Sequence, residues 1–249
     1  MQKYLYKYRS FNQFTDAILL NSELYFSSPL NFNDPFDCQL SFRKFYTEKE
    51  MKNVYINLFE KFFIHKDGIR RKLGPNYINF FKLNEFFYKN LLKNMGILSF
   101  SKIDSNITMW SHYADNHQGL VFCFEPKKDN AFFGLFIDVD YVKEESYNFL
   151  SFLGDYLDNT ATLITTKYID WEYEKEARII DFKNNGNKKF LASSLTCILF
   201  GYRANEINIK KTIQLCQLNG FSHVKFKKAK LIPGKFALDF DEIDKSRYL

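Results

Sequence analysis

The chain is short of the residues that announce a function. It has 10 Gly in 249 residues, and none of them form the glycine-rich turn that cradles a phosphate. Its four cysteines, Cys38, Cys123, Cys197 and Cys216, show no CxxC spacing and sit in apolar surroundings. That excludes a zinc ribbon or a disulfide scaffold and points to buried free thiols in a reducing compartment. No serine or cysteine stands in a nucleophile-elbow context, which weakens hydrolase readings. No run approaches eighteen apolar residues, and Met-Gln-Lys-Tyr-Leu-Tyr-Lys-Tyr lacks a signal-peptide core, so a cytoplasmic protein without a membrane contact is expected. Only four histidines are present. His112 and His117 are five apart, not the i, i+4 pair of a helical metal site, and no metal is expected.

What is abundant is aromatic: 29 Phe and 16 Tyr. With Lys, Asn and Ile also frequent and Ala scarce, this is the signature of an AT-rich genome before it is a signature of function. The net charge of +6 comes from scattered lysines. The densest group, Lys225-Phe-Lys-Lys-Ala-Lys230, alternates with apolar residues as a half-exposed strand does.

Periodicity predicts strands at Lys3–Tyr8, Glu23–Ser28, Ile97–Phe100, Leu120–Glu125, Glu174–Phe182, Cys197–Tyr202, His223–Phe226 and Phe236–Phe240. Helices are predicted from a Ser10 cap through Leu20, from Thr47 through Phe63, over Tyr77–Lys93, Ile107–Ala114 and Tyr147–Thr166, and from an Asn205 cap to Asn219-Gly220. Strands interrupted by helices without a βαβ rhythm give an α+β class. No repeat or linker breaks the chain, so residues 1–249 read as one domain around a mixed or antiparallel sheet, with a helical insertion at about 45–95.

Four polar segments stand out as a working site: Tyr8-Arg9-Ser10, Ser27–Asp37, Trp110–Gly119 and Tyr173–Arg178. On a strand, Glu174, Glu176 and Arg178 would share one face, with the carboxylates about 7 Å apart and in need of a cation. Such a pair suits stabilising a developing positive charge or orienting a hydroxyl; a charged, solvent-facing strand is the plainer alternative. Arg9, at a strand end before a helix cap, suits a phosphate or carboxylate, or an ordinary ion pair. Ser27 and Ser28 offer hydroxyls to a ligand, while Asn33 and Asp34 read as Asx turns. Trp110 and Tyr113 fall on one helix face, as the wall of a ring-stacking pocket or as core.

Six segments in order, Leu5-Tyr-Lys-Tyr-Arg9, Leu24–Asp37, Gly96-Ile-Leu-Ser-Phe-Ser101, Met109–Leu120, Trp171–Arg178 and Ile198-Leu-Phe-Gly-Tyr202, resemble the bacterial domain of unknown function 2971 family across almost the whole chain. More distantly, the layout of strand, Arg9, helix and serine-bearing strand is similar to ADP-ribosyltransferase folds, notably nucleic-acid-modifying toxins. That resemblance implies a split sheet and an NAD-consuming enzyme, a toxin or phage-defence effector, with NAD as co-substrate and a nucleic acid or protein as acceptor. It implies that Arg9 grips the pyrophosphate and that Tyr113 or Trp110 stacks on nicotinamide. Ser27 or Tyr113 would supply the middle element, Glu176 or its neighbour Glu174 the catalytic carboxylate, and His112 would orient or deprotonate the acceptor. Arg178, beside the pair, is taken with the cofactor-binding residues. The alternatives are a non-enzymatic ligand- or nucleic-acid-binding module and a metal-dependent nuclease using Glu174 and Glu176.

Overall fold

A computed structural model of the chain describes residues 3–38, 89–143 and 163–248. The fold is α+β. Its centre is β4 (Leu120–Phe124), whose five residues are all buried, as expected of a strand covered on both faces. The tyrosine-rich β1 (Leu5–Arg9) pairs antiparallel with β4 over its whole length, from Leu5 opposite Phe124 to Arg9 opposite Leu120. On the far side of β4 lie β10 (Leu195–Phe200), β11 (Lys225–Leu231) and β12 (Leu238–Glu242). Beyond β1 come β3 (Gly96–Ser101), β8 (Glu176–Asp181) and β5 (Phe136–Asp138). The order is β12-β11-β10-β4-β1-β3-β8-β5, and the parallel pairing of β10 with β11 makes an otherwise antiparallel sheet mixed. Two small sheets flank it: β2 (Glu23–Phe26) with β9 (Gly186–Lys189), and β6 (Asp140–Val142) with β7 (Thr166–Tyr168).

The alternation of β4 builds a core on each face. Phe122 and Phe124 join Leu5, Phe100, Phe133 and Ile198 on one side. Val121 and Cys123 join Tyr8, Trp110 and Leu199 on the other. The helices around the sheet include α1 (Gln13–Asn21), α2 (Ile107–Tyr113), α3 (Asn130–Phe133) and α4 (Glu206–Leu218). Asn205 caps α4 as the sequence predicts. The cap of α1, however, is Asn12 and not Ser10: the Asn12 side-chain carbonyl accepts from Phe14 N and Thr15 N, both at 3.0 Å. The Ser10 hydroxyl oxygen instead accepts from the Asn12 side-chain amide at 3.0 Å.

The sheet is tightly laddered except at one junction. The pairings of β1 with β4 and of β3 with β8 run over five and six positions, but β1 meets β3 only at Tyr6 opposite Ser101. From that point Lys7–Arg9 stay with β4 while Phe100 back to Gly96 stay with β8, so the sheet splits.

Two sequence expectations are corrected. Glu174 is not on a strand: a 3-10 helix, Ile169–Glu174, ends at Lys175, whose φ of 43° turns the chain before β8 begins at Glu176. The Lys-rich segment at 225–230 is strand, as its alternation implies, but β11 extends to Leu231 and its expected start at His223 is two residues early. Most of the helical insertion at 45–95 and most of the helix expected at Tyr147–Thr166 fall outside the described residues; residues 89–94 and 163–165 are helical. No helix among the described residues is long and apolar enough to cross a membrane.

Candidate functional site

The split between β1 and β3 opens into a cavity of about 130 Å³. Its walls come from β1 (Lys7), β3 (Ser99, Ser101), α2 (Met109, Tyr113) and the loop after β2 (Phe32, Asn33). Glu174, Glu176 and Lys167 form its charged floor together with Asp37. α2 is held in place by its Asn106 cap, which accepts from Thr108 N and Met109 N and also donates to Tyr173 O. That last bond ties α2 to the 3-10 helix bearing Glu174.

The left-handed turn at Lys175 changes how the two glutamates meet. They do not stand side by side on one strand face but approach a common cation from two elements. Lys167, on β7, donates to Glu174 Oε2 at 2.6 Å and to Glu176 Oε2 at 3.3 Å, with Asp37 Oδ2 at 3.5 Å. Its ammonium also lies over the Trp171 ring, 4.8 Å from the centroid. Behind Glu176 lies Arg178, which is 0% exposed. Its guanidinium binds Glu176 through Nε at 2.7 Å and Nη2 at 3.0 Å. It binds Asp37 through Nη1 at 3.0 Å and Nη2 at 2.7 Å, and Ile164 O at 2.7 Å. This doubly bidentate packing is the geometry in which a planar guanidinium binds carboxylates most strongly. Three buried carboxylates thus share two buried cations.

The two glutamates titrate in opposite directions. Burial would raise the Glu176 carboxyl, but Arg178 and Lys167 beside it bring it down to about 2. Burial lifts Glu174 above the usual carboxylate range in spite of Lys167, and the charge on Glu176 adds to the lift. Tyr113 donates to Glu174 Oε1 at 2.6 Å, and burial followed by the Glu174 charge pushes the phenol upward. Burial opposes the charge on Lys167, yet Glu176, Glu174 and Asp37 together hold it above the usual lysine range. Lys7 behaves differently. Burial, then the nearby Arg9, brings its ammonium down to about 7, against the pull of Glu176 and Glu174. Environments that drive paired groups apart in this way assign acid and base roles.

Of the residues singled out in the sequence, the structure brings Glu174, Glu176, Arg178 and Tyr113 together. Arg178 lies beneath the carboxylates, out of reach of the cavity, so its contact to a ligand would be through Glu176. Arg9 is two residues from Lys7 on the same side of β1, and its Nε is buried without a hydrogen-bond partner, but it is not among the cavity's lining residues. Trp110 is 0% exposed, donates to Asp104 O at 2.7 Å and packs edge-on against Tyr8; it is core and does not line the cavity. Ser28 donates to Leu92 O at 2.7 Å and caps the short helix Pro29–Asn31, while Ser27 bridges to Ile97 through its backbone. Neither is among the cavity's lining residues. The serines that do reach the glutamates are Ser99, whose hydroxyl hydrogen-bonds Glu176, and Ser101, which donates to Glu174 O at 2.7 Å. His112 is exposed and hydrogen-bonds the Tyr173 hydroxyl at 3.0 Å, one element away from the pair. Asp34 makes the expected Asx turn to Phe36 N.

Sequence reasoning missed Lys167, Lys7, Ser99 and Ser101, and it placed Asp37 in a working segment without giving it a role. The need for a cation opposite the two glutamates was legible; that Lys167, from a Thr-Lys-Tyr strand with no motif around it, would supply it was not. Among the described residues no group of three or more His, Cys, Asp or Glu is placed to hold a metal ion.

Residues 109–179 match the family described as protein of unknown function (DUF2971), the family that the six motifs resemble. The matched stretch runs from α2 to β8 and so carries Tyr113, Lys167, Glu174, Glu176 and Arg178. No curated protein and no solved structure matches the chain.

Proposed function

Taking the DUF2971 match as the starting point, we propose that this protein is an NAD-consuming enzyme of the ADP-ribosyltransferase kind, breaking the nicotinamide–ribose bond in the cavity between β1 and β3. One observation carries the reading. The elements around the split present to the cavity, in order, an amine (Lys7 on β1), hydroxyls (Ser99 and Ser101 on β3) and carboxylates (Glu176 at the start of β8 and Glu174 on the 3-10 helix before it).

Each group suits a step. Loss of nicotinamide leaves positive charge on the ribose, and an ionised Glu176 at the cavity floor stabilises it without reorganising. Glu174, whose carboxylate burial makes more basic than usual and Tyr113 orients, takes the proton of the attacking acceptor, whether water, a protein side chain or a nucleic acid. Arg9, with its unpartnered Nε, suits the pyrophosphate. A cavity of about 130 Å³ is smaller than the ~300–1,000 Å³ of sites that enclose a drug-sized ligand, so it would take one ring and leave the rest of the dinucleotide outside. Loss of cellular NAD would give such an enzyme its role as a toxin or phage-defence effector.

Incubation with NAD, with nicotinamide followed by chromatography, tests this. The wild-type chain is expected to release nicotinamide, and Glu176→Gln to lose about 10²–10³-fold in rate. Undiminished release by that variant overturns the assignment. Binding of RNA or DNA without NAD binding would support a non-enzymatic module instead. Metal-dependent cutting of nucleic acid would support a nuclease, although Lys167 and Arg178 already fill the space between the carboxylates.

A further inference from the structure

Lys7 is unlike every other lysine near the site. Lys167 is clamped by three carboxylates, whereas Lys7 has no carboxylate within 4 Å among the described residues and spends one hydrogen bond on Ser99 O at 2.7 Å. It sits over the Phe100 ring, 5.8 Å from the centroid, at the point where β1 and β3 part. Both the amine and the Tyr113–Glu174 pair line the same cavity. The charged groups around it are Arg9 on its own strand and Glu174 and Glu176 across the cavity. A buried amine that faces a cavity without a carboxylate clamped to it is the arrangement that leaves lysine nucleophilic near neutrality.

We propose that Lys7 is a nucleophilic amine that captures a small carbonyl compound, an aldehyde or a 2-oxo acid, as an imine inside this cavity. The Nζ lone pair forms the C–N bond while the carbonyl π electrons move to oxygen, and the Glu174 carboxylate takes a proton from the nitrogen and passes it to that oxygen. The carboxylate then takes the second nitrogen proton and passes it to the hydroxyl, which leaves as water as the C=N bond closes. One water is released per imine, the carboxylate is regenerated, and no oxidant or reductant is consumed. The depressed ammonium of Lys7, near 7, supplies free amine at neutral pH. The cavity volume limits the partner to a few carbons.

Two sources of such a carbonyl are separable: a 2-oxo acid, probed with glyoxylate, and the open-chain aldehyde of a sugar, probed with ribose. The folded wild-type chain is incubated at pH 7 with each probe and cyanoborohydride, which reduces an imine to a stable amine, and labelled peptides are quantified by mass spectrometry. Lys7 is expected to be labelled at least about tenfold faster than the exposed Lys127 and Lys183 with one of the two probes. The responding probe identifies the carbonyl class, and Lys7→Arg is expected to remove that label alone. Labelling of Lys7 no faster than Lys127 and Lys183 by both probes overturns the proposal. The measurement needs no NAD, so its outcome is independent of whether nicotinamide is released.

Discussion

Replacing Arg178 with methionine keeps the side chain's length and apolar bulk but removes the cation that bridges Asp37 and Glu176 with bidentate geometry. Both carboxylates are about 95% buried, so neither can recover its lost partner from water. Breaking a buried ion pair from one side costs about 3–5 kcal/mol, because the charge left behind is uncompensated. The titration of Glu176 points the same way: against the pull of burial, Arg178 and then Lys167 hold its carboxyl down at about 2, so the fold favours the ionised form. The sign follows from the depressed value. In the wild type this stability is present above the unfolded carboxyl's range and is lost as pH falls through about 2. In Arg178→Met three buried carboxyls are left to share Lys167 alone, so they shift upward and accept protons on mild acidification, which relieves the penalty. Urea unfolding followed by tryptophan fluorescence at pH 7 and pH 4 is therefore expected to show a gap of about 3–5 kcal/mol that narrows clearly at the lower pH. A gap that does not change with pH, or a variant as stable as wild type at pH 7, would refute the electrostatic account of the cluster.

Asn106→Ala removes the α2 cap and the link to Tyr173 O, and a thermal melt is expected to show a loss of about 1 kcal/mol. Trp110→Ala empties a fully buried position between Tyr8 and His117 and is expected to cost about 3–5 kcal/mol by denaturant titration. At Gly201 an added Cβ would lie 2.1 Å from His117 O, so Gly201→Ala is expected to lose roughly 2 kcal/mol or more, measured the same way. Tyr113→Phe deletes a hydrogen bond that favours ionised Glu174. The limb of the pH–rate profile set by Glu174 is expected to move to higher pH, read from nicotinamide release.

Much of the scaffold is written locally. The alternation of Leu-Tyr-Lys-Tyr-Arg, the apolar run at Leu120–Phe124 and the Asn205 cap each state their structure within a few residues, and each folds as read. The site is only half legible for the same reason. Glu176 and Arg178 share a strand face, so period two reveals them. Glu174 does not, because a single left-handed residue, Lys175, breaks the period, and lysine carries no signal for that conformation as glycine would. Lys167 and Asp37 reach the pair from 7–9 and about 140 residues away, contacts that no local pattern encodes. Ser27 and Ser28 stand out in the sequence but Ser99 and Ser101 line the cavity, because which serine-bearing strand lies beside β8 is a matter of topology. Trp110 met the criterion for a pocket wall and the criterion for core equally; the indole N–H bond to Asp104 O is what fixes it inside.

The single Tyr6–Ser101 pairing has a mechanical consequence. Ladder hydrogen bonds normally carry strain from strand to strand, and here that path narrows to one residue pair between a five-stranded leaf and a three-stranded one. Each leaf can then open and close as its own cooperative unit, with slow amide exchange inside each and faster exchange along the seam. Anything lodged against Lys7 on one leaf and Glu176 on the other would act as a rivet across that seam, stiffening the whole sheet by touching only a few side chains.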